Sequence, residues 1–201
     1  RLRSRGLGDV YKRQGIYIVK RELFESLNPE KPTDMTEDII HEAVKSGEAV
    51  LLDGKGYYKR ITTPEAFLDC QRHMLYNENM SQRLTENNFS GAAIGEPVYI
   101  GENVSVMSGS VIESGSVIDN NAVVKGGKVN GYVGIGSVVS ERCDINSAVV
   151  CRGAVLDSGV KCGEYSVIGE KAHIASEAVI EKGVGIWSGT VSYTHLRAHE
   201  T

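Results

Sequence analysis

His195, His199 and Glu200 stand at spacings that would let two imidazoles, four apart on a helix, share a metal ion with a carboxylate. His173 is the single histidine of residues 94–190 and would be a general base if the fold held it against a substrate. Its place, at a corner directly after Ala172, reads as surface. The four cysteines (Cys70, Cys143, Cys151, Cys162) show no C-x-x-C spacing. With no secretion signal they read as reduced thiols, and the default location is cytoplasmic. The run GYVGIG at 131–136 has the composition of a dinucleotide loop, but no strand–loop–helix unit surrounds it, so its glycines serve the chain path.

The metal pair dissolves on a wider view, because both ends look foreign. RLRSRGLGDVYKRQ at 1–14 and VSYTHLRAHET at 191–201 resemble translated adapter sequence and break the patterns beside them. On that reading the chain is an interior fragment. Setting aside residues 1–14, with five Lys/Arg and one Asp, takes the formal charge from −4 to −8, and residues 191–201 net zero. Such a balance argues against phosphate-backbone or anionic-membrane binding. No apolar run approaches the roughly 18 residues of a spanning helix. With 24% charged and 41% hydrophobic residues, the composition is that of a soluble globular protein.

Aliphatic side chains recur every six residues. Ile94, Ile100, Val106, Ile112, Ile118 and Val124 form one run; Val150, Leu156, Cys162, Ile168, Ile174, Ile180 and Ile186 form another. The fourth place after each lead is small at Ser110, Ser116, Ala122, Ala154, Ser166, Ala172, Ala178 and Thr190, and valine at Val160 and Val184. A helix would repeat at three and four, and a sandwich strand alternates and then turns irregularly. A fixed short period is the mark of a solenoid. The fold expected over 94–190 is therefore mainly β: each rung is a short strand and a corner, with the lead side chain inside. This resembles the left-handed parallel β-helix of hexapeptide-repeat proteins. Val124 and Val150 lie 26 residues apart, two more than four hexads, which predicts a bulge or slipped corner near Gly126–Gly136.

Residues 15–80 have a different character, with 81–93 as a linker. GIYIVK (15–20) reads as a buried strand and RELFESL as a helical turn or two. Asp34 with Glu37 makes a capping box for a short helix carrying Ile39, Ile40, Ala43 and Val44, stopped at Gly47. EAVLLD and GYYKRI look like two strands joined by a turn. Thr63 and Pro64 open a last helix, with Phe67, Leu68, Met74 and Leu75 on one face.

The order of these pieces resembles the last third of a sugar-phosphate nucleotidyltransferase domain, an α/β fold followed in that family by a β-helix. A "GIY" strand and a pattern like G-Y-W-x-D-I-G-T-P-E find counterparts in Gly15–Tyr17 and GYYKRITTPE. The resemblance implies an enzyme joining a sugar 1-phosphate to a nucleoside triphosphate, with Mg²⁺ and release of pyrophosphate. Mannose 1-phosphate with GTP is favoured by GVGIWSG at 183–189; glucose 1-phosphate with ATP or dTTP comes next. Gly15, Tyr17, Tyr58 and Arg60 are the implied substrate-binding residues, and no catalytic residue or metal ligand falls in this stretch. Arg60 stands where the family has a metal-holding aspartate, and arginine cannot ligate a cation.

Two other readings stay open. Hexapeptide acyltransferases, a family the β-helix also resembles, use a histidine base beside a groove between subunits, a role only His173 could fill here. Arg60 also suits a non-catalytic regulatory or assembly paralogue. Open solenoid ladders further predict a homo-oligomer formed through the β-helix.

Overall fold

The sixfold spacing is realised as a three-sided coil. The computed structural model describes residues 16–25, 27, 30, 32–50, 55–78, 80, 82–83, 89 and 91–192, and its repeats form a left-handed parallel β-helix of about six turns. Each regular rung is a two-residue strand followed by a corner, and it pairs in parallel with the rung one turn later: Val111 with Ala93, Val117 with Tyr99, Val123 with Ser105. The first residue of each pair faces outward. The second enters a core so narrow that Ile100, Ile118, Val124, Leu156, Ile168 and Ile174 are wholly buried. The small fourth-place residues Ser116, Ala122, Ala154 and Ala172 are equally buried, since the corner has no room for more.

The slipped region has a different cause from the one the spacing suggested. Residues 124–150 hold five rungs, not four. Their inward residues are Val129, Val133, Val139, Ile145 and Val150, paired by register with the coils on either side. The steps from Val124 to Val129 and from Ile145 to Val150 are five residues, and the step from Val129 to Val133 is four. Corner residues are missing rather than added. A shortfall of four in five hexads has the same phase as an excess of two in four, so periodicity alone could not tell them apart. As a result the strands Lys128–Val133 and Asp144–Val150 run unbroken around one edge. A register shift between Asn146 and Ala148 takes up the difference, with Ser147 at φ 47°. Serine hydroxyls supply the lost ladder partners. Gly126 N donates to Ser110 Oγ at 2.9 Å and Gly131 N to Ser116 Oγ at 3.3 Å.

That recessed edge seats a helix. Thr63 accepts from Ala66 N at 3.1 Å and opens Pro64–Asn77 as expected. Leu68 and Leu75 are buried, and such side chains contribute about 1.5–3 kcal/mol each. Gln71 Nε2 donates to the carbonyls of Gly115 (2.7 Å) and Gly131 (3.1 Å). Arg72 Nη2 donates to Ser147 Oγ (3.0 Å) and Asn130 Oδ1 (3.4 Å). Tyr76 hydrogen-bonds Ser114, and Phe67 meets Tyr132 edge-on at 5.4 Å.

Tyr132 is also the donor to Asp119 Oδ2 at 3.0 Å. Burial first, and then this hydrogen bond to a carboxylate, push its phenol up to about 12. The neutral phenol is thus favoured in the folded chain, and that stability is lost as pH rises past the ordinary tyrosine value of 10.0. Alkaline titration followed by phenolate absorbance should show a late step near 12 from Tyr132. The late step should vanish in Tyr132→Phe; a single common step in the unaltered chain refutes the burial argument.

The chain divides into two compact units between Arg60 and Ile61. In the first, Arg21–Glu25 is helical, and Asp34 caps the next helix by accepting from Thr36 N and Glu37 N. The reciprocal acceptor for Asp34 N is Asp38 Oδ2, at 2.8 Å, in place of Glu37. A π-type stretch, Met35–Ile40, runs into an α-helix, His41–Lys45, and Gly47 ends it at φ 76°. The strands expected at GIYIVK and GYYKRI do not form. Among the described residues up to 60 there is no strand to take their amides, and Ile39 is the one buried hydrophobic. Ile16 and Ile18 are 75% and 88% exposed. Residues 51–53 of EAVLLD lie outside the described residues.

Candidate functional site

His173 faces outward because its neighbour Ile174 takes the interior, where it is fully buried. One coil earlier the same face carries Val155 and Leu156, paired with His173 and Ile174. Asp157 follows Leu156 at the point where the chain leaves the strand, and its amide donates to Ile174 O at 2.9 Å. This backbone ladder brings the two side chains together. His173 Nε2 lies 2.9 Å from Asp157 Oδ2, with the side chains 47% and 38% exposed.

The contact does two things. It aligns the imidazole, and it favours the tautomer with Nε2–H donating to the carboxylate and a lone pair on Nδ1. Asp157 is itself fixed from within. Cys143 Sγ donates to its carbonyl at 3.0 Å, and burial pushes that thiol up so that it stays a donor. Above the histidine on the same face stands Val191, 50% exposed, and below it Val155, half-buried. The site is thus an oriented, solvent-facing base between apolar side chains.

The other candidates are not brought to one place by any strand or helix. Gly15 lies outside the described residues, as do His195, His199 and Glu200. Tyr17 and Tyr58 are 39% and 52% exposed, and Arg60 is exposed on a segment with no regular structure. Among the described residues no three His, Cys, Asp or Glu side chains gather to hold a metal. No described helix is long and apolar enough to cross a membrane. Asp157 had not stood out in the sequence. The signal was available: one regular coil spans eighteen residues, so Val155 must lie beside His173 and Asp157 two residues further on.

The geometry therefore defines a hexapeptide-repeat β-helix that carries a carboxylate-oriented histidine on one face. Known structures of this form bear transferase names. The acetyltransferase domain of PglB from Neisseria gonorrhoeae is 23% identical over 54% of this chain and 49% of that one, with a TM-score of 0.27. A variant of perosamine N-acetyltransferase from Caulobacter crescentus, in complex with CoA and GDP-perosamine, is 26% identical over 55% and 49%, at 0.31. UDP-N-acetylglucosamine acyltransferase from Campylobacter jejuni is 16% identical over 55% and 68%, at 0.27. The aligned part spans about half the length of the first two. No protein-family model matches the chain, nor does any curated protein.

The expectation of a nucleotidyltransferase is corrected by these findings. The matching structures are named as acetyl- and acyltransferases, and among the described residues of GIYIVK and GYYKRI no strand forms. The sugar 1-phosphate and the nucleoside triphosphate go with that reading.

Proposed function

We propose that this chain is the β-helical part of a hexapeptide-type acyltransferase, with His173 as general base and Asp157 as the group that positions it. The observation that carries the reading is the 2.9 Å contact between His173 Nε2 and Asp157 Oδ2 on an exposed face. The imidazole lone pair takes the proton from an acceptor amine or hydroxyl as that group attacks the carbonyl of an acyl thioester. The new C–N or C–O bond forms, the C–S bond breaks, and the proton passes to the departing thiolate. Outward Val123, Val138 and Val155 on the same face suit a second copy lying alongside, which would wall the acceptor against the histidine.

The test is thiol release from acetyl-CoA by the full chain, with a panel of nucleotide-linked amino sugars as acceptors. Release that depends on an acceptor and is lost in His173→Ala is expected. No release with any acceptor, or release that survives the substitution, defeats the proposal.

A further inference from the structure

The recessed edge that seats the helix stacks two asparagines of unusual sequence context. Asn130 precedes Gly131, Asn146 precedes Ser147, and the two asparagines are register partners on successive coils. Asn–Gly is the dipeptide in which a backbone amide most easily reaches the preceding side chain, because glycine has no Cβ to obstruct it. No other Asn–Gly occurs in the chain.

The surroundings of Asn130 hold every group that this chemistry must move. Its Nδ2 donates to Glu113 Oε2 at 2.7 Å, and its Oδ1 accepts from Arg72 Nη2 at 3.4 Å. The amide that would attack, Gly131 N, donates to Ser116 Oγ. Glu113 is in turn held by Lys128 Nζ at 2.8 Å. Arg72 belongs to the Pro64–Asn77 helix and the other groups to the solenoid, so the side chain is clamped between the two elements.

We infer that Asn130 is a spontaneous deamidation site whose reaction is held back by the seated helix, so that its modification records each unseating. Gly131 N loses its proton and bonds to Asn130 Cγ, and the Cγ–Nδ2 bond breaks to release ammonia. Water then opens the cyclic imide at either carbonyl, giving aspartate or isoaspartate; no oxidant or reductant enters. The product does not restore the seat. A carboxylate at position 130 can still accept from Arg72 Nη2 but opposes Glu113 where a donor stood, and isoaspartate adds a backbone atom to the edge that already lacks residues.

The experiment uses the full chain at mildly alkaline pH. Digestion and mass spectrometry follow the amide-to-acid mass gain at Asn130, with isoaspartate resolved by fragmentation. The denatured chain sets the unrestrained rate. The folded chain should react far more slowly, and Arg72→Ala and Glu113→Ala, each checked for native circular dichroism, should each speed the reaction by at least about tenfold, since each removes a charge-assisted restraint. If Arg72→Ala does not fold, Arg72→Lys decides in its place, because it keeps a cation on the helix but loses the planar fork that reaches both Ser147 and Asn130. A folded chain that deamidates as fast as the denatured one, or folded variants with unchanged rates, overturns the inference.

Discussion

Gly131→Ala is expected to abolish the native fold of the solenoid's centre, or to cost more than about 4 kcal/mol if any native state survives. A Cβ on Gly131 would overlap Ala148 O of the next coil and lie 3.0 Å from Ala148 N. These are backbone atoms inside a parallel ladder, so no side chain can swing aside to make room. The φ of 145° adds a conformation that L-residues rarely adopt. Gly109 supplies the control. It too has positive φ, 81°, but nothing lies within 4 Å of its would-be Cβ. Gly109→Ala should therefore cost only the left-handed penalty of about 1–2 kcal/mol. Denaturation curves of the two variants decide the matter, and equal midpoints would show that the missing corner residues do not crowd the coils.

This contrast also shows which parts of the fold the sequence discloses. The regular rungs were legible because every lead position does one job, filling the interior, and only aliphatics or a cysteine do it. The count of rungs between Val124 and Val150 was not, because four residues lost over five hexads leave the same phase as two gained over four. The Thr63–Pro64 helix start was legible from its cap alone. Its destination was hidden, because the residues that bind it to the solenoid, Gln71 and Arg72, are polar and pass for a solvated face. The strands at GIYIVK and GYYKRI show the opposite failure. Local β-propensity was present, but a strand also needs a partner ladder, and the described residues of that unit provide none.

The site was half legible for a related reason. His173 was visible as a lone histidine, and its corner position suggested a surface residue, which it is. A surface position and the proposed role are compatible. A residue on the outer side of a ladder keeps its rigidity, since Ile174 anchors the same two-residue strand in the core, while the imidazole stays open to a second molecule. The partner carboxylate was hidden by sequence distance, although the coil length places it.

The second large effect concerns that pair. His173→Ala should lower acyl transfer by about 10²–10⁴-fold, the usual contribution of a positioned general base. The loss should not come from unfolding, because a solvent-exposed contact between a histidine and a carboxylate contributes only about 0–1 kcal/mol. Asp157 touches the base and not the acceptor, so its substitutions should act on kcat and leave KM unchanged. Their order is the informative part. Asp157→Ala removes the anchor but lets the ring sample the competent tautomer, so part of the rate should remain. Asp157→Asn keeps the shape and offers an N–H to Nε2, which moves the ring proton to Nδ1 and blocks the lone pair needed at the acceptor. A wrong tautomer is costlier than a loose ring, so the asparagine variant should be the slower of the two. Steady-state rates for the three variants at one pH suffice: an alanine variant slower than the asparagine one would mean that holding the ring in place matters more than its tautomer, and unchanged rates in both would remove Asp157 from the mechanism.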